Sequence, residues 1–187
     1  VRPEFYPLTG AACECGEGEG EGYTVNIAWP EDGISDNDYL VAFRHVVMPL
    51  CTSFAPDLLL VSAGFDAAAG DPQGRMRLTA AGFSSLTASV LECHTPTVLA
   101  LEGGYNIPTT CECVEAVTRT LLGETPRQPT TCRLSKCVEP TLCATIDAHA
   151  KYWPVLEAER KALQAFVAQE AKRPAPPERA SRRLKKA

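Results

Sequence analysis

The chain of 187 residues is long enough to bury one sizeable core, and 45% hydrophobic against 22% charged residues is an ordinary globular balance. It holds no run of eighteen apolar residues and no basic, apolar, then small-residue order at its N-terminus, so neither a membrane span nor a signal peptide is expected. The net charge of −5 is uneven: from Lys172 onward seven basic residues face one acidic one, so the tail carries +6 and residues 1–171 carry −11, a body that would attract cationic peptides or amines rather than a nucleic-acid backbone.

Near the start, Gly16, Gly18, Gly20 and Gly22 alternate with Glu17, Glu19 and Glu21. Three carboxylates repel phosphate and no Gly-Lys-Ser/Thr follows, so the segment reads as a glycine-rich turn feeding a strand over 23–27. Residues 36–54 have helical spacing, with Leu40, Phe43, Val47, Leu50 and Phe54 on one face, Ser35 or Asp36 as cap and Pro56 as stop. The apolar run 58–64 predicts a strand buried on both faces. Thr79 opens a second helix to about Cys93, with Phe83, Leu86 and Val90 spaced to pack. A second buried strand over 97–101 follows, then a helix from near Pro108 to Gly123. Residues 124–138 read as a linker, with a helical segment from about Glu139 that breaks at Pro154. The Pro-rich basic stretch from Lys172 reads as a solvated, disordered terminus; a nucleic-acid contact or an import signal is the alternative.

The nine cysteines include Cys13-x-Cys15 and Cys111-x-Cys113 but no pair with the two to four intervening residues of structural zinc sites. The count is odd and no secretory signal is visible, so reduced thiols in an intracellular protein are expected.

Strand, helix, strand, helix with apolar strands predicts an α/β fold, layers of helices flanking a mostly parallel sheet. Ligands of such sheets sit at the carboxyl ends of the strands. Gly64-Phe65-Asp66 follows the first strand and Glu102-Gly103-Gly104-Tyr105 the second, which nominates Asp66 and Tyr105 as site residues.

Taken in order, several of these segments resemble the zinc-dependent histone deacetylase family, class II and within it class IIb. They are Phe5-Tyr6-Pro7-x-Thr9-Gly10, the glycine alternation with Val25-Asn26-Ile27-Ala28-Trp29, Ser62-Ala63-Gly64-Phe65-Asp66-Ala67 with Gly70-Asp71-Pro72, Leu101-Glu102-Gly103-Gly104-Tyr105-Asn106, Leu121-Leu122-Gly123, and His149-x-x-Tyr152-Trp153-Pro154. The resemblance covers about residues 3–156. It implies a three-layer, arginase/deacetylase-like fold, of which residues 1–126 are the C-terminal half of the catalytic domain, 127–171 a linker and helical extension, and 172–187 the basic tail.

It further implies removal of acetyl groups from lysine on histones or other proteins, in a corepressor complex and in the nucleus or cytoplasm. Asp66 is the Zn²⁺-binding carboxylate, and a carboxylate oxygen suits that ion. Tyr105 is the tyrosine that donates to the oxyanion, where histidine would mark poorly active relatives. Gly103 and Gly104 let the backbone pass close to substrate, Tyr6 lines the acetyl-lysine tunnel, and Gln73 stands at the rim. A glutamate at that rim position accompanies polyamine substrates, so Gln73 weakens an acetylpolyamine reading. The Tyr23 carbonyl is a ligand of a structural monovalent cation, K⁺.

The resemblance also exposes departures. The family's His-His pair and Asp-x-His motif have no counterpart here: His45, His94 and His149 are isolated. Those motifs lie upstream of Phe5 in the family. The chain is therefore read as truncated after them and not expected to catalyse alone, because one carboxylate replaces neither three ligands nor a base. A non-catalytic interaction half-domain is the remaining alternative.

Overall fold

Ser35, Asp38 and Pro49 together shape the first helical segment. The computed structural model describes residues 8–129 and 132–173. Helix α1 (Asp36–Ala42) starts where the Asp38 carboxylate turns back to accept from Ser35 N at 2.8 Å and Ser35 Oγ at 2.9 Å. A π turn (Phe43–Val47) then leads into α2 (Met48–Phe54). Pro49 has no N–H to offer the carbonyl of His45, and the helical ladder widens just ahead of it, with Met48 N reaching Phe43 O. The segment is helical over the predicted span and stops at Ala55, which is left-handed (φ 50°) before Pro56.

The buried face differs from the expected one. Val41, Ala42, His45 and Val46 are buried, whereas Leu40, Phe43, Val47 and Leu50 are half-buried and Phe54 is exposed. The segment packs on two sides, which a one-face reading does not anticipate. Val41, Ala42 and Val46 meet α5 (Val138–His149) and α6 (Val155–Glu170) in one core with Val138, Leu142, Ile146, Leu156 and Leu163, while Phe43 faces a cavity under the sheet. The two helices beyond the linker thus share a core with the segment before β1. The linker itself is pinned, because Asp38 also accepts from Ser135 N at 2.8 Å and Ser135 Oγ at 2.9 Å.

Strands β1 (Leu59–Ala63) and β2 (Thr97–Leu101) pair in parallel, in register from Leu59↔Thr97 to Ala63↔Leu101. Between them runs α3 (Ala80–Leu91), capped by Thr79, whose Oγ1 accepts from Gly82 N at 3.1 Å. After β2 comes α4 (Ile107–Leu121), capped by Asn106 with Pro108 in its first turn. The inner strand residues Ala63 and Leu99 pack with Phe65, Ala68, Phe83, Cys113 and Val117.

The opposite sheet face is bare among the described residues. Leu60 and Val98, cross-strand partners, are 74% and 53% exposed, so the expectation of strands buried on both faces is corrected here. The runs are apolar on both faces, and the described residues cover one. The strand expected over 23–27 is also absent. That segment is extended, but Thr24 O accepts from His149 Nε2 (2.8 Å) and Asn26 O from Thr145 Oγ1 (2.9 Å), so side chains of α5 take the place of a neighbouring strand.

Candidate functional site

The carboxyl ends of β1 and β2 lie side by side, and backbone bonds extend the pairing past the strands. Glu102 N donates to Ala63 O (3.1 Å) and Phe65 N to Gly103 O (2.8 Å). Phe65 is buried as the anchor of the first loop, which leaves Asp66 half-buried beside the second. A Cβ placed on Gly103 would stand 2.8 Å from Asp66 Oδ2, and one on Gly64 would stand 3.1 Å from Oδ1. The carboxylate therefore occupies the gap between the two strand ends, and glycine keeps that gap open. Gly104 adopts φ +139° and turns the chain over Phe65, leaving Tyr105 with 52% of its surface exposed.

Asp71 ties the two loops together. Its Oδ1 accepts from Gln73 N (2.8 Å) and Gly74 N (3.0 Å), and its Oδ2 accepts from Tyr105 N (2.7 Å). Burial alone would raise the Asp71 carboxyl. The backbone N–H groups of Tyr105, Gln73, Gly74 and Asn106 outweigh it and hold the group below the ordinary carboxylate value. Asn106 Nδ2 adds a bond to Gly70 O (3.0 Å). Gln73 projects at the surface of the same loop.

Sequence reasoning named Gly70-Asp71-Pro72 as a motif but missed what Asp71 does. An Asp before Pro that caps the next two amides is a local turn signal. The bond to Tyr105 spans 34 residues and has no local signal. Gly74 was also missed: a Cβ there would overlap Asp66 O at 1.7 Å. Tyr39 on α1 is a third. Burial first, and then the Asp66 charge, push its hydroxyl up to about 12, and its ring lines a mostly apolar cavity of about 240 Å³ with Phe43, Gly64, Phe65 and Phe83.

The remaining nominated residues lie apart from these loops. Tyr6 lies outside the described residues. Tyr23 sits in the glycine-rich segment with its ring edge-on to Trp153 (5.6 Å) and Phe54 (6.0 Å). Trp153 Nε1 donates to Gly22 O (2.8 Å), so the helical extension grips that segment.

The histidines are otherwise engaged. His45 Nδ1 pairs with Glu159 Oε2 at 2.8 Å, His149 lies between the carbonyls of Thr145 and Thr24, and His94 ends the turn after α3. Among the described residues no group of three or more His, Cys, Asp or Glu could hold a metal ion. Asp66 alone does not make a zinc site, so the donors among the described residues do not by themselves fit the ion. No helix of the described residues is long and apolar enough to cross a membrane.

Comparison with known proteins bears on the family and the fold. The family profile of the histone deacetylase domain matches residues 2–121. Histone deacetylase 15 of Arabidopsis thaliana is 42% identical over 81% of the chain, and histone deacetylase clr3 of Schizosaccharomyces pombe is 41% identical over 80%. The human protein named polyamine deacetylase HDAC10 is 39% identical over 76%. The chain spans only 28%, 22% and 22% of these relatives, respectively. The crystal structure of the HDA15 HD domain superposes with a TM-score of 0.79 at 40% identity, covering 87% of this chain and 44% of that one. The structure of Clr3 also gives 0.79 at 40% identity, covering 81% and 26%. The paired parallel strands with their flanking helices are thus part of the arginase/deacetylase fold, and the chain belongs to the histone deacetylase domain family.

Proposed function

We propose that this chain contributes the carboxylate and tyrosine side of a class II lysine deacetylase site, which hydrolyses the acetyl amide of lysine on histones or other proteins. The observation that carries the reading is the joining of the Asp66 and Tyr105 loops at adjacent strand ends by the Asp71 carboxylate. Asp66 supplies one ligand to the family's Zn²⁺. The other two ligands and the paired histidines have no counterpart among the residues of this chain.

Tyr105 presents a hydroxyl where the acetyl oxygen gains negative charge, and a donor placed there acts on the transition state more than on the bound substrate. Gln73 forms the rim and Tyr6 the tunnel wall. Gly103 and Gly104 leave room for the acyl-lysine stem, and the Tyr23 carbonyl is the K⁺ ligand. Residues 1–126 form the catalytic portion, 127–171 a brace behind it, and 172–187 a basic tail. A nuclear or cytoplasmic protein acting within a corepressor assembly fits this substrate class.

The acidic body and the likeness to a polyamine deacetylase favour acetylated polyamine as the second reading, and the uncharged Gln73 weighs against it. Joining the upstream part of the Arabidopsis histone deacetylase 15 domain to this chain before Phe5 provides the test. The chimera is expected to deacetylate an acetyl-lysine peptide in preference to an N-acetylated polyamine. Tyr105→Phe is expected to lower kcat by about 10²–10³ with KM little changed. Near-parental kcat in Tyr105→Phe removes the assigned role, and no turnover of either substrate by the chimera favours a non-catalytic half-domain.

A further inference from the structure

At the end of the sheet opposite Asp66 and Tyr105, two turns meet. The turn from α2 into β1 and the turn from α3 into β2 are joined where Leu59 N donates to Pro96 O (2.9 Å). The Thr95 hydroxyl is shared between Pro56 O (3.3 Å) and Cys93 O (3.2 Å). Cys93 follows α3 in a tight turn closed by Cys93 N to Val90 O and His94 N to Leu91 O, with His94 left-handed at φ 52°. Cys51 lies on α2, and its Sγ stands 3.1 Å from Sγ of Cys93.

A disulfide needs its sulfurs about 2.05 Å apart, so closure asks for roughly 1 Å of approach, within the reach of small side-chain rotations. Both thiols are half-buried, so solvent and a small oxidant can reach them. We propose that Cys51 and Cys93 form an oxidisable dithiol, a modification site that closes to a disulfide with a peroxide and locks the two strand-entry turns together.

The chemistry balances with peroxide as the named oxidant. Burial first, and then the neighbouring Cys93, push the Cys51 thiol up to about 11, so the first attack is assigned to Cys93. Its sulfur takes one peroxide oxygen, the O–O bond breaks, and the departing hydroxide gains a proton to become water. The Cys51 sulfur then attacks the resulting sulfenic acid, losing its proton as the S–O bond breaks and a second water leaves. Two thiols lose two electrons in all, and one peroxide becomes two waters. The cross-link spans 42 residues, so it restricts the unfolded chain far more than the folded one. It acts on stability, away from the strand ends that carry Asp66 and Tyr105, and does not depend on the deacetylase reading.

The test treats the full chain with hydrogen peroxide, alkylates the remaining thiols, and maps peptides without reduction. A Cys51–Cys93 linked peptide pair is expected ahead of any product at the exposed Cys13 and Cys111, with two alkylatable thiols lost of nine. The thermal midpoint is expected to rise by roughly 5–15 °C and to return on reduction. Cys51→Ser should instead leave a sulfenic acid on Cys93 that a dimedone probe traps. Oxidation of Cys13 or Cys111 with no Cys51–Cys93 pair overturns the proposal. So does a linked pair that leaves the midpoint unmoved, since the turns would not then be locked.

Discussion

Replacing Asp71 by asparagine keeps the shape of the side chain and removes its charge. The carboxylate serves backbone donors on both oxygens, Gln73 and Gly74 on Oδ1 and Tyr105 on Oδ2. An asparagine has one acceptor oxygen, so either orientation turns an NH₂ group against backbone N–H groups. If the oxygen stays on the rim loop, Tyr105 loses its acceptor; if it turns, Gln73 and Gly74 lose theirs. Losing a bond to a charged acceptor and leaving a buried donor unmet costs roughly 2–4 kcal/mol. Urea denaturation should show a lower midpoint at unchanged slope. Amide exchange at Tyr105 or at Gln73 should quicken about 30-fold or more, since 1.4 kcal/mol is a factor of ten. The carboxyl is held below its ordinary value when folded, so its contribution is fully present above about pH 4 and is lost as pH falls through the lower folded value. Asp71→Asn should flatten that acid limb. A change under about 0.5 kcal/mol with unchanged exchange at all three amides would refute the strap.

Three further outcomes follow from packing and from the gap between the strand ends. Leu156→Ala, at a fully buried position in the core that α6 shares with α1 and the π turn, should cost about 2–5 kcal/mol by urea denaturation, and a loss below 1 kcal/mol would mean that the extension is not part of that core. The bare face around Leu60 and Val98 should drive self-association of the isolated chain, and Leu60→Lys with Val98→Lys should shift size-exclusion elution toward monomer; a chain already monomeric at high concentration would contradict this. In the chimera, Gly103→Ala should displace the Asp66 carboxylate and lower bound zinc measured by mass spectrometry, and undiminished zinc would show that the gap is not needed.

Local chemistry made the helices and strand ends legible. Thr79 and Pro108 mark helix starts through capping and fixed φ and Pro154 marks a break, and all three hold in the structure, where Asn106 adds a cap ahead of Pro108. Pro49 carried a signal for the π turn that helical spacing alone passed over. The strand expected over 23–27 failed because an apolar, β-branched run specifies an extended chain but not what satisfies its carbonyls, and here His149 and Thr145 do so from 119 to 125 residues away.

The sequence by itself determined the family signature, the parallel strand pair and the placement of Asp66 and Tyr105 just past adjacent strands, because these follow from short-range patterns of apolarity, glycine and capping. Only the tertiary structure decided that Asp71 bridges the two loops, that α5 and α6 share a core with the helix before β1, that one sheet face stands bare among the described residues, and that Cys51 meets Cys93. Each of these joins segments tens of residues apart or depends on which surfaces this chain covers, and no local pattern of side chains encodes either.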